Sequence, residues 1–212
     1  MRIGPVFALL ACIHSFLFLN GFVGMPVHPA TVEPDAEELL SKQRIFYRIK
    51  PEERGGEAFK LIYLVPVSVD VFWRFKTDFR GNFLLSNKYI KEHRVIHETG
   101  NVIITENTYS NVTNETFRWR TTVYPDQYSL SFQLENPREC GQKFHYVAIS
   151  IERFRSYPKV SHVAFFDFFG AYLWVNLPFG GGMSSFLMYT ASWEKETISR
   201  LRQQYEIQPP NE

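Results

Sequence analysis

His93 and His97 stand four residues apart, the spacing at which two imidazoles on one helical face can share a metal ion. The segment around them reads as a strand. At ~3.3 Å per residue the two rings would start about 13 Å apart, too far for one ion. The glutamate of the zinc-protease motif is also missing, so no metal site is expected. Gly180-Gly181-Gly182 precedes a helical pattern and could offer backbone donors to an anion, but the Lys-Ser/Thr of a phosphate loop does not follow. A hinge at a cavity mouth is the reading. No Gly-x-Ser-x-Gly elbow occurs, which removes that class of hydrolase. Cys140, in the turn Asn136-Pro137-Arg138-Glu139-Cys140-Gly141, reads as an inert loop thiol. Asp167 lies inside an aromatic run, where a buried carboxylate is either hydrogen-bonded or raised in pKa. It is a candidate polar group of a site, as is His162. His145, Glu98, Arg118 and Arg120 also fall on predicted strands, where any one could polarise a carbonyl, and cross-strand ion pairs explain them equally well. No catalytic residue and no cofactor is assigned.

These residues have to be held by something, and the order of elements is the strongest signal in the chain. After a short helix capped by Asp35 and running to about Lys42, residues 43–50 and 57–65 read as a hairpin. Ser68 then caps a second short helix with Val71, Phe72 and Phe75 on its apolar face. Strands are predicted at 89–98, 102–109, 116–124, 127–135, 144–154 and 160–174, divided by Gly, Asn, Asp or Pro. Tyr128, Leu130, Phe132 and Leu134 alternate with polar residues, so the sheet has an inside and an outside. Residues 160–174 are apolar or aromatic on both phases and need cover on each side. The N-terminal hairpin is the expected cover for the face turned away from the cavity. A long helix is predicted from Gly182 or Met183 to about Tyr205. The fold class is therefore α+β: a curved antiparallel sheet wrapped around a long C-terminal helix, with two short helices near the start.

The chain has 212 residues with a formal charge of +1, and acids and bases are spread along it, so no nucleic-acid partner is expected. Twenty Phe and eleven Tyr offer wide apolar walls. Residues 1–24 read as a signal peptide: Arg2 supplies the positive end and residues 6–19 the apolar stretch. Gly24 suits a cleavage site and Phe22 does not, so an uncleaved anchor over residues 3–23 is the alternative and would give membrane contact. Leu9-Leu10-Ala11-Cys12 lies too early for a lipoprotein box. Residues 25–36 form a Pro-rich spacer, residues 37–208 the domain and residues 209–212 a tail. With the leader removed Cys140 is the only cysteine and no internal disulfide can form. Asn111 and Asn114 open formal glycosylation tripeptides. Export to a periplasm or to the outside is the expected location.

The opening strand and helix at residues 61–79, the strand series to Trp174 and the last helix at residues 186–205 together resemble the SRPBCC or START-like superfamily. That group includes the birch-pollen-allergen-like proteins, the polyketide cyclase/dehydrase group and the coenzyme Q-binding proteins. Residues 37–51 also look like the lead-in of exported bacterial members. The resemblance implies a helix-grip fold with an apolar cavity under the C-terminal helix. Many members carry a Trp-Pro element before the next strand, where this chain reads Gly81-Asn82-Phe83-Leu84-Leu85-Ser86-Asn87-Lys88. Members bind lipids, sterols, quinones or polyketides, and some are enzymes. The expectation for this chain is binding of a hydrophobic small molecule or lipid. Alternatives are a cyclase/aromatase-like enzyme and a membrane-associated interaction protein. Phe72, Trp119, Phe132, Tyr146, Phe166, Met183 and Phe186 are the expected cavity lining, with His162 and Asp167 as its polar groups.

Overall fold

Apolar residues recur every second position through the middle of the chain and every third or fourth near its end, and the computed structural model builds a sheet and a helix from those two periods. It describes residues 34–49, 56–110, 115–155, 157–171 and 182–206, with residues 158–171 described by their backbone alone. Residues 1–33, which hold the expected leader and most of the expected spacer, the residues after 206, Asn111 and Asn114 lie outside the described residues, and the end of the spacer, Ala36, is the first residue of a helix. Eight strands form one antiparallel sheet: β1 (Arg44–Ile49), β2 (Glu57–Val65), β3 (Ile90–Thr99), β4 (Val102–Tyr109), β5 (Thr116–Tyr124), β6 (Ser129–Leu134), β7 (Gln142–Phe154) and β8 (Tyr157–Ala171). Their spatial order is β1-β2-β8-β7-β6-β5-β4-β3. The helices are α1 (Ala36–Lys42), α2 (Val69–Thr77) and α3 (Gly182–Tyr205), with a 3-10 turn over Asn82–Ser86. This is an α+β helix-grip fold.

Local chemistry sets the boundaries. Ser68 caps α2 by accepting a hydrogen bond from the Val71 N–H. Asp35 occupies the corresponding place before α1, but its side chain makes no capping bond. That helix is anchored by its buried Ala36 and Leu39, and it carries an exposed Lys42–Glu38 pair one turn apart, at 2.8 Å, of the kind that contributes little. It ends at Gln43, which takes the left-handed conformation at φ 61° and closes it with its own side-chain amide on the Leu40 carbonyl. β6 is shorter than its alternating pattern suggests, because Pro125–Gln127 forms a 3-10 turn and Tyr128 is left-handed at φ 45°. β8 begins at Tyr157, three residues earlier than the sequence indicates, and residues 172–174 lie outside the described part.

The N-terminal hairpin does not cover the sheet; it extends it. β2 pairs with β8 from Glu57↔Phe169 to Val65↔Ser161, so β8 is an interior strand with neighbours on both edges. Cover on the outer face comes from α1, whose Ala36 and Leu39 pack with Ile45, Ile62, Leu64 and Phe154. On the inner face α3 lays Met183, Leu187, Ala191 and Ile198 into a core shared with Leu61, Tyr63, Phe72 and Leu130. Arg44 of β1 donates to Ser192 Oγ at 2.6 Å, fixing the helix to the edge of the sheet.

The outer face of β3, β4 and β5 is polar and cross-linked. Glu106 is registered between Arg94 and Arg118. Arg94 Nε donates to its Oε2 at 2.7 Å, and Arg118 Nη2 to its Oε1 at 2.7 Å. Hydrogen bonding from Arg118, assisted by Arg94 and opposed by burial, holds the Glu106 carboxyl below its ordinary value. A folded pKa below the unfolded one, about 4.3, means that this stabilisation is complete above that pH and is lost as pH falls through the folded value. Glu106→Gln is expected to cost about 1–2 kcal/mol in urea unfolding at pH 7. The gap to the wild type should close progressively below about pH 4; a gap independent of pH would show that the charge of Glu106 is not what matters. Arg120 pairs with Glu135 at 2.8 Å and Arg80 with Glu98 at 3.0 Å. Arg118 and Arg120 are therefore ion-pair partners on the outer face, whereas Glu98, registered opposite Ile103, is exposed and paired with Arg80 of the loop after α2; none of the three is among the residues that line the cavity under α3.

Candidate ligand-binding site

Between α3 and the inner face of the sheet the side chains leave a cavity of about 200 Å³. Its wall is mostly aromatic. Phe75 of α2, Phe79 after it, Phe83 of the 3-10 turn and Trp193 of α3 close one side. Phe83 stacks on Phe75 with centroids 4.6 Å apart and on Trp193 at 6.2 Å. Gly81 permits this: a Cβ there would overlap the Phe83 ring. The segment that departs from the Trp-Pro element thus supplies aromatic wall of its own. The sheet contributes Phe117, Trp119, Phe132, Val147 and Ile149, and the first half of α3 contributes Phe186.

Of the side chains singled out from sequence, Trp119, Phe132 and Phe186 line this space. Phe72 and Met183 do not. Both are buried in the core, packed behind the cavity wall, because the apolar face of α2 reaches the cavity through Phe75, three residues later. Tyr146 points the other way. Along β7 the buried positions are His145, Val147, Ile149 and Ile151, so Tyr146 falls on the outer face, where it stacks on Phe144 with centroids 6.1 Å apart. Phe166, His162 and Asp167 sit on β8, where the backbone registers Asp167 between Phe59 and Val147, Phe166 between Lys60 and Ala148, and His162 between Leu64 and Glu152. Their side chains lie outside the described part.

The two imidazoles at metal-like spacing are used separately. His93 places Nδ1 2.6 Å from Asn107 Oδ1 and Nε2 2.7 Å from the Phe79 carbonyl, tying the loop after α2 to the sheet. His97 meets Thr99 at 2.8 Å on the outside. Among the described residues no group of three or more His, Cys, Asp or Glu is placed to hold a metal ion. His145 lines the cavity with Nδ1 2.9 Å from Gln142 Oε1 and its ring edge-on to Trp119, centroids 4.8 Å apart. Cys140 is buried outside the cavity, and burial, with Glu115 and Glu139 nearby, pushes its thiol up to about 12. It is not a nucleophile at neutral pH.

Sequence reasoning misses the most polar part of the wall. Glu194 of α3 is 2 % exposed. Its Oε1 accepts from Lys76 Nζ of α2 at 2.6 Å, and its Oε2 accepts from the Tyr63 hydroxyl of β2. Burial, reinforced by the Glu194 charge, raises the Tyr63 phenol well above its usual value, so it remains a donor. Tyr205 similarly donates to Asp78 at 2.6 Å and is raised first by burial and then by that bond. A signal for Glu194 exists in the sequence. It falls in the stripe of residues 183, 187, 191, 194 and 198, where a carboxylate needs a buried partner.

With this geometry established, comparison with known proteins is informative at the level of fold. No family model matches the sequence, and no curated protein does. Solved structures do match. A START superfamily protein from Mycobacterium smegmatis aligns with a TM-score of 0.54 at 13% identity, covering 68% of this chain and 98% of that one. An aromatase/cyclase from Streptomyces aligns at 0.54 and 7% identity, covering 74% and 96%. Norcoclaurine synthase from Thalictrum flavum aligns at 0.53 and 10% identity, covering 75% and 98%. The chain has the START-like fold that its element order resembles.

Proposed function

We propose that this chain binds a hydrophobic small molecule in the cavity beneath α3. The carrying observation is the cavity itself: about 200 Å³ left open under a helix, with Phe75, Phe83, Trp119, Phe132, Phe186 and Trp193 on its wall. Protein interiors normally close such spaces, and an apolar cavity of ~150 Å³ suffices to take up benzene. The size suits a compound of one or two rings, or part of a longer chain whose remainder leaves through the opening. The fold supports the reading, since a START superfamily protein and a cyclase share it. Affinity would come from apolar burial at ~25 cal/mol per Å², with the few polar wall groups orienting the molecule.

Catalysis on the bound compound is the second reading. It draws on the buried Lys76–Glu194–Tyr63 group at the cavity wall and on the aromatase/cyclase and norcoclaurine synthase among the similar structures. The apolar stretch at residues 6–19 supports export, by way of a cleaved leader or an uncleaved anchor, and sequencing the N-terminus of the purified protein distinguishes the two.

Native mass spectrometry of the protein purified from its own compartment tests the binding reading. A reproducible apolar adduct, identified after extraction, is the expected result. Conversion of that compound during incubation would favour catalysis. A protein that arrives empty and takes up none of a panel of lipids, sterols, quinones and small aromatic compounds would overturn binding.

A further inference from the structure

The walls of the cavity are not equally fixed. Its floor is the sheet, hydrogen-bonded without a break from β8 to β3. Its roof, α3, is pinned by its buried core side chains, by the Lys76–Glu194 pair and by Arg44 on Ser192. The side wall formed by Gly81–Ser86 is held differently. It contributes Phe83 and Leu84 to the cavity, yet no residue of the 3-10 turn Asn82–Ser86 is buried, and Leu85 is 52 % exposed. The backbone bonds of this segment stay local: the Leu84 N–H donates to the Gly81 carbonyl and the Asn87 N–H to the Leu84 carbonyl, each at 3.1 Å. Among the described residues no backbone hydrogen bond joins residues 81–86 to a strand or to α3. Two contacts hold it against the helix. The Phe83 ring stacks on Phe75 and Trp193, and the exposed Trp193 Nε1 donates to Ser86 Oγ at 3.0 Å. Both ends of the segment are tied down. Before it, the Phe79 carbonyl accepts from His93 Nε2 at 2.7 Å and Asp78 from Tyr205 at 2.6 Å. After it, Asn87 is buried and its carbonyl accepts from the Ile90 N–H at 2.9 Å, while the Lys88 carbonyl accepts from Ser110 Oγ at 2.8 Å.

A segment with few buried contacts between two fixed ends opens at lower cost than the elements around it. We infer that Gly81–Ser86 is the gate of the cavity: it swings away from α3 between its anchors at Phe79 and Asn87, draws Phe83 out of the wall, and lets a ligand pass between the 3-10 turn and the helix. The hydrogen bond from Trp193 to Ser86 is its latch. This rests on the binding reading above and adds to it the route by which the site fills and empties. Lifting α3 instead would separate the buried Lys76 and Glu194 and strip its apolar side chains from the core, which is far costlier. Opening the gate breaks one exposed hydrogen bond, whose two groups pass to water, and withdraws one ring. Gly81 suits the closed position, since a Cβ there would overlap the Phe83 ring and lie 2.8 Å from Asp78 Oδ2. The stretch is the one in which this chain departs from the Trp-Pro element, so the gate belongs to its own residues and not to the shared fold.

Ser86→Ala removes the latch acceptor and leaves the cavity wall in place, because Ser86 is exposed and is not a lining residue. The full chain is mixed in stopped flow with tetralin, a two-ring hydrocarbon without a polar atom, and binding is followed by tryptophan fluorescence. The association and dissociation rate constants should both rise by about fivefold in the variant, with Kd unchanged. A latch that the ligand does not touch alters how often the gate opens and not what the closed cavity holds. Unchanged rates, or faster dissociation with a matching loss of affinity, overturn the gate and leave the binding reading standing. Failure of the wild type to bind tetralin overturns both. Hydrogen exchange gives a second answer without ligand. The Leu84 and Asn87 amides should exchange about fivefold faster in Ser86→Ala, with the Leu187 and Ile198 amides of α3 unchanged. Equal acceleration of all four would show a general loosening of the fold, and no acceleration would show that the bond is not a latch; either result overturns the inference.

Discussion

Glu194→Leu should lower the unfolding free energy by about 3–5 kcal/mol in urea titration, the range found when one partner of a buried ion pair is removed. The substitution keeps an apolar side chain of suitable size on α3. It leaves the Lys76 ammonium, whose side chain is 12 % exposed, without its counter-charge. It also leaves the buried Tyr63 hydroxyl without its acceptor. The loss is therefore mainly a desolvation cost, and removing the second charge should reverse it. Lys76→Met combined with Glu194→Leu is expected to recover most of the stability, since two apolar residues replace a pair whose attraction was largely spent on desolvation. A loss below about 1 kcal/mol in the single variant would mean that water reaches the pair and that it behaves as a surface contact.

Phe72→Ala and Phe132→Ala should separate core from cavity. Phe72 is fully buried, packed within the main core and stacked on Phe75 with centroids 5.7 Å apart. Its truncation opens a void inside a closed core and is expected to cost about 3–5 kcal/mol. Phe132 borders space that is already empty and is only half-buried, so its truncation removes fewer contacts, with an expected cost of about 1–2 kcal/mol. Binding of tetralin should respond in the opposite sense. Phe132→Ala should weaken it several-fold through lost wall area, and Phe72→Ala should leave it nearly unchanged at temperatures where the variant is folded. Equal stability losses would show that the wall at Phe132 is packed as tightly as the core.

Much of this arrangement is legible in the sequence. The order of elements, the Ser68 cap and the start of α3 at Gly182 follow from local chemistry that acts over a few residues, and sequence displays such chemistry directly. Which face of a strand turns inward is a different matter where both phases are apolar. In β7, Phe144, Tyr146 and Ala148 compete with Val147, Ile149 and Ile151, and the structure turns the second set inward. The larger rings indicate the wrong phase for Tyr146. Phe72 and Met183 stand on apolar helix faces, which suggests lining, yet such a face covers both closed core and cavity edge. Neighbours far away in sequence set the difference between them. Glu194 escapes sequence reasoning for a related reason, since its partners, Lys76 and Tyr63, lie 118 and 131 residues earlier.

Those separations also order events in time. β3 to β7 are joined to their neighbours by short turns and can form as they leave the ribosome. β2 must wait for β8, since Glu57 pairs with Phe169 and Val65 with Ser161, and closing so long a loop carries an entropic cost that slows folding. Until then β2 presents an unpaired apolar edge, open to wrong partners. α3 follows later still, and with it Glu194, the group that neutralises Lys76. The interior space is therefore the last feature the chain assembles, and a nascent chain halted before α3 at Gly182 would have neither a roof over the cavity nor a counter-charge beside it.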